Sequence, residues 1–76
     1  MTNKEMVIGV LNEYGAMTSK QISTCINRKF GVSVSPAQAA GTLRPLVGRS
    51  EAATSKDAYG KTVYWLTDYG KEVLIK

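Results

Sequence analysis

Ser35-Pro36-Ala37-Gln38-Ala39-Ala40-Gly41-Thr42-Leu43-Arg44-Pro45-Leu46-Val47 is the stretch on which the reading of this chain turns. It opens with a serine followed three residues later by glutamine, the spacing in which cap and third helical residue exchange hydrogen bonds, and proline occupies the favoured first helical position. Ala39, Ala40, Leu43, Leu46 and Val47 recur at three- and four-residue steps and form a buried face. Gln38, Gly41, Thr42 and Pro45 turn the other way. Pro45 cannot donate to the Gly41 carbonyl, so the helix is expected to kink there or finish in a distorted turn.

Upstream, Thr18 and Gln21 repeat the capping spacing ahead of Ile22, Cys25, Ile26 and Phe30, predicting a helix over about 19–29 that Gly31 closes. Thr2 and Glu5 do the same ahead of Met6, Val7, Val10, Leu11 and Tyr14, predicting a helix over about 3–14. Ala16-Met17 leaves room for a short extended connection. After Arg49 the period changes to two: strands at 50–55 and 62–66 flank the polar loop Lys56-Asp57-Ala58-Tyr59-Gly60. Thr67 can cap a last helix, 68 to about 75, that offers Tyr69, Val73 and Leu74 to the core.

The expected fold class is therefore α+β: a three-helix core, a β-hairpin and a short C-terminal helix in one domain, 1–76. Its order resembles the winged helix-turn-helix family from Met6 to Leu74. Val63-Tyr64-Trp65-Leu66-Thr67-Asp68-Tyr69-Gly70-Lys71 looks like the tyrosine-x-leucine-threonine-x-x-glycine wing ending of MarR-type and PadR-type regulators, and Ser35 to Val47 is similar to a recognition helix. The resemblance implies sequence-specific binding of double-stranded DNA in transcription regulation, with the helix at about 36–47 in the major groove and the wing at about 50–66 on the backbone or minor groove. Those regulators extend this core with long dimerisation helices that are absent here, so a monomer or weak homodimer is expected.

Charge agrees with a polyanionic partner. The chain carries +4 overall, yet Lys20, Arg28, Lys29, Arg44, Arg49, Lys56 and Lys61 stand against Glu51 and Asp57 alone, a net +5 between Lys20 and Lys61, while the flanks net −1. In the DNA reading Gln38 pairs with an adenine edge, Thr42 reaches a base or thymine methyl, and Gly41 lets the backbone come close. The Ser35 cap presents free amides and a positive dipole end to phosphate. Ser35 and Arg44 then hold phosphates or flanking positions, Arg49, Lys56 and Lys61 follow the neighbouring backbone or minor groove, and Ser19 and Lys20 are further phosphate contacts. The plainer alternative makes these residues solvated surface. Arg28 and Lys29 read better as cations complementing a helix C-terminus.

The remaining classes are thinly supported. With no histidine, one cysteine and no phosphate-binding glycine loop, neither catalysis, a metal nor a cofactor is expected. Cys25 reads as a reduced, small core hydrophobe. The polar N-terminus and the lack of a long apolar run predict no membrane span and a cytoplasmic location. The main rival is a winged-helix protein-interaction module. Alternation puts Tyr64 and Leu66 on one strand face and Val63 and Trp65 on the other, and the latter pair forms either a partner surface or a second buried layer under the last helix.

Overall fold

The computed structural model describes residues 1–75; the expected domain 1–76 includes Lys76, which lies outside the described residues. Three reciprocal capping boxes start the first three helices: Thr2 with Glu5, Thr18 with Gln21, and Ser35 with Gln38. They begin α1 (Asn3–Tyr14), α2 (Ser19–Phe30) and α3 (Pro36–Gly48). Between the first two lies β1 (Met17–Thr18); beyond α3 come β2 (Ala52–Lys56), β3 (Thr62–Leu66) and α4 (Asp68–Leu74), the last capped by Thr67.

The helices meet in one apolar cluster. Val7, Val10 and Leu11 from α1, Ile22 and Ile26 from α2, and Ala39, Leu43 and Leu46 from α3 are almost wholly removed from water. Burial of each large aliphatic side chain stabilises the fold by about 1.5–3 kcal/mol, so these residues dominate the core. Ala52 and Leu66, one from each hairpin strand, close its open side, with Tyr64 packed against it from the same face as Leu66.

The connection at Met17 is a strand. Met17 pairs with Tyr64 and Thr18 with Val63, giving an antiparallel sheet of order β1-β3-β2 in which the hairpin is tied to the start of α2. Two residues are too few to display alternation, which is why pattern reading leaves them as a connection. Thr18 both pairs in the sheet and caps α2.

The other departures sit around Pro45 and in α4. The third helix runs through Pro45 to Gly48 and stops in a tight motif: the Ser50 amide donates to the Val47 carbonyl at 3.1 Å and the Glu51 amide to the Leu46 carbonyl at 2.9 Å. Ser50 takes the left-handed position of this stop, φ 61°, where glycine is the usual residue. Because 49–51 are consumed in ending the helix, β2 begins at Ala52 and not at Ser50. In α4, Tyr69 and Val73 face water, contrary to the expected stripe; Gly70 and Leu74 face inward. A side chain at Gly70 is impossible in this packing, since its Cβ would lie 1.8 Å from the Glu51 carbonyl oxygen.

Candidate nucleic-acid interface

The turn between α2 and α3 is held from inside. Asn27 accepts the Val34 N–H through Oδ1 at 2.7 Å and donates from Nδ2 to the Val34 carbonyl at 3.1 Å. The Ser23 hydroxyl, the one buried polar side chain among the described residues, donates to the same carbonyl at 2.5 Å. Neither residue stands out in sequence, because serine and asparagine inside a helix look like ordinary polar surface; the signal is their i, i+4 spacing on the face that meets the turn. They fix Val34, and with it the Ser35 cap and the entry of α3.

The first turn of α3 is more self-contained than expected. Pro36 has no N–H, the Gln38 N–H goes to Ser35 Oγ at 3.1 Å, and the Ser35 N–H goes to Gln38 Oε1 at 2.9 Å. Ala37 therefore carries the turn's remaining backbone donor, joined by the Ser35 hydroxyl hydrogen. Gln38 keeps its amide nitrogen for a partner, while the oxygen that a bidentate adenine contact requires is engaged in the cap.

Ala37, Gln38, Gly41, Arg44, Pro45 and Gly48 form the solvent-exposed face of α3. Thr42 departs from expectation: it is half-buried, and its hydroxyl donates to the Gln38 carbonyl at 2.9 Å. That back-bond leaves the methyl and the oxygen lone pairs for outside contact. At Gly41 a Cβ would meet nothing within 4 Å, so the fold does not itself require glycine there.

The wing stands beside this helix. Ala40, Arg44 and Val47 of α3 share a recess with Thr54 and Tyr64 of the sheet. Register pairs Thr54 with Tyr64 and Lys56 with Thr62, so alternation places Lys56 on the sheet face toward Arg44. Lys56 and Lys61 are exposed at the two ends of the hairpin loop. Arg49 is less free, for its Nε donates to Glu51 at 2.8 Å. Ser19 is half-buried and Lys20 exposed at the start of α2, where Lys20 flanks a shallow groove with Tyr14, Met17, Cys25 and Arg28. Lys29 pairs with Glu13, which raises its pKa, and its charge serves the α1–α2 contact.

From Tyr14 to Ser50 the chain has no acidic residue, so β1, α2 and α3 carry bases and no acid of their own, although Lys29 of α2 is paired with Glu13 of α1. Val63 and Trp65, on the opposite sheet face, are half-buried beside Leu11, Ala16 and Lys71. They are neither an open apolar patch nor a closed second layer under α4.

No protein-family model matches the chain, and no curated protein matches it in sequence. Solved structures match it in fold. A complex structure of RosR from H. salinarum superposes with a TM-score of 0.83 at 20% identity, over 99% of this chain and 66% of that one. Bacillus subtilis PadR, solved in complex with operator DNA, gives 0.78 at 25% identity over 93% of this chain and 43% of its own. F93 from STIV, described as a winged-helix DNA-binding protein, gives 0.77 at 20% identity over 92% of this chain and 76% of its own. The fold is the winged helix: α2 and α3 form the helix-turn-helix and β2–β3 the wing. The chain spans less than two thirds of the RosR complex chain and under half of PadR.

Proposed function

We propose that this chain binds double-stranded DNA sequence-specifically, as the reading module of a transcription regulator, with α3 in the major groove and the wing along the adjacent backbone or minor groove. The observation that carries the reading is the joint surface of α3 and the wing: an exposed, low-profile helix face next to Arg44 and Lys56, in a stretch whose helices contain no acid between Tyr14 and Ser50. The fold shared with PadR, which was solved on operator DNA, supports it.

In this reading Gln38 is a donor. Its amide nitrogen reaches base acceptors such as purine N7 while its oxygen stays in the cap, because leaving the cap forfeits a hydrogen bond worth about 0.5–1.5 kcal/mol. Gly41 lets the helix backbone approach the base edges, and the Thr42 methyl is available to thymine. Ser35, the Ala37 amide, Arg44, Ser19 and Lys20 hold phosphates. Lys56 and Lys61 follow the neighbouring strand, with Arg49 a weaker contact because Glu51 competes for it.

Titration of a duplex selected from a random pool, across a salt series, tests this. Binding is expected to weaken steeply with salt, and Arg44→Ala or Lys56→Ala to lower the log–log slope by about 0.9 for each phosphate deprived of its cation. Arg49→Ala is expected to change it less. Salt-indifferent binding, or none, would overturn the proposal. Sedimentation of the complex reads whether one copy or a weak homodimer occupies the site.

A further inference from the structure

Tyr59 is 88% exposed, more than the N-terminal Met1 at 82%, and it sits at the summit of the wing loop. The loop that carries it is well determined by its own hydrogen bonds. Asp57 Oδ1 accepts the N–H groups of both Tyr59 and Lys61 at 2.9 Å, the Gly60 N–H goes to the Asp57 carbonyl at 3.0 Å, and the Asp57 N–H to the Lys61 carbonyl at 2.8 Å. Gly60 accepts the positive φ of 77° that turns the chain back. The Asp57 carboxylate is thus engaged within the loop, and an aromatic ring is presented to water on an ordered tip flanked by Lys56 and Lys61.

We propose that Tyr59 is a specificity-determining contact that enters the DNA minor groove beside the segment read by α3 and favours A·T pairs there. The proposal rests on the DNA-binding reading above. Its physics is separate from that of the lysines, which recognise charge alone. A groove about 6 Å wide admits a flat ring at the end of a narrow two-stranded ribbon. The phenol hydroxyl can donate to adenine N3 or thymine O2, the acceptors that A·T pairs display, whereas guanine adds an amino group that obstructs the same floor. Apolar wedges at minor-groove steps are an established device of DNA-binding surfaces, and the lysines on either side hold the tip against the phosphates.

Parallel selections from a random duplex pool with the unaltered chain and with Tyr59→Ser test this, followed by affinity measurements on the selected duplex. The unaltered chain is expected to enrich A·T at a flank. Replacing those pairs with inosine·cytosine, which keeps the A·T-like minor groove, should leave affinity nearly unchanged, while guanine·cytosine should weaken it by about tenfold. Tyr59→Ser is expected to bind the selected duplex about tenfold more weakly and to ignore the exchange, yet to retain the major-groove preferences. Equal binding by Tyr59→Ser, or loss of affinity with inosine as severe as with guanine, would overturn the proposal while leaving the DNA-binding reading intact. If the unaltered chain selects no duplex, both fall.

Discussion

Asn27 grips the backbone of Val34 at both ends, accepting its N–H and donating to its carbonyl. The residue that leads into α3 is therefore positioned by a side chain on the preceding helix, seven residues away. This is a lock on the helix-turn-helix angle made from one amide group.

Removing that lock leaves the Val34 N–H without its partner in a half-buried turn. Asn27→Ala is expected to lower the unfolding free energy by about 1–3 kcal/mol, measured by urea denaturation. Asn27→Asp should fare little better, since it places a carboxylate oxygen against the Val34 carbonyl. Combined with Ser23→Ala, which removes the other donor to that carbonyl, the losses should fail to add, because the two residues share one acceptor.

At the far end of α3 the fold carries a cost that can be relieved. Ser50 adopts a left-handed backbone with φ 61°, while its carbonyl accepts the Thr67 hydroxyl at 2.7 Å. Ser50→Gly keeps that bond and removes the steric penalty, so a stabilisation of about 1 kcal/mol is expected. Thermal melting should rise by about 4–8 °C for a domain of this size.

Gly41 should separate folding from binding. A methyl group there meets nothing within 4 Å, and alanine is the better helix former. Gly41→Ala is expected to stabilise the fold by about 0.5–1 kcal/mol in denaturant titration, and yet to weaken duplex binding by holding the helix off the base edges. Improved stability together with unchanged affinity would show that α3 does not approach DNA through this face.

The first helix has a pH-dependent start. Hydrogen bonds from the Thr2 amide and hydroxyl hold the Glu5 carboxyl below the ordinary carboxylate range. A depressed acid contributes stability that is present above its unfolded pKa and disappears as pH falls through the folded value. The Thr2 and Glu5 amide resonances should therefore report fraying of α1 on acidification. Glu5→Gln, which still offers an oxygen to Thr2, should flatten that titration.

Much of this architecture was legible in the residues. Threonine or serine three positions before glutamate or glutamine located all three large helices, because a capping box is a local device whose partners are close in sequence. The strand at Thr62–Leu66 emerged from alternation. What escaped were features made by residues far apart: the Met17–Tyr64 pairing, the clasp of Ser23 and Asn27 on Val34, and the seating of Gly70 on Glu51. Tyr69 and Val73 have helical spacing suited to burial, but the closeness of Gly70 to the Glu51 backbone rotates the other side of α4 inward. At the candidate interface the bases were visible as charges, whereas the Arg49–Glu51 pair and the engaged oxygen of Gln38 emerge only in three dimensions.

The junction where α3 stops is also an anchor for the end of the hairpin and the start of α4. Ser50 and Glu51 receive the Thr67 hydroxyl and amide, and Gly70 rests on the same Glu51 carbonyl. Helix α3 and the root of the wing thus meet at one hydrogen-bonded corner, like the legs of a calliper. If α3 and the wing bind DNA as proposed, a base pair inserted between their two contacted stretches shifts one about the duplex axis relative to the other and is expected to weaken binding; unchanged affinity would show that this corner yields.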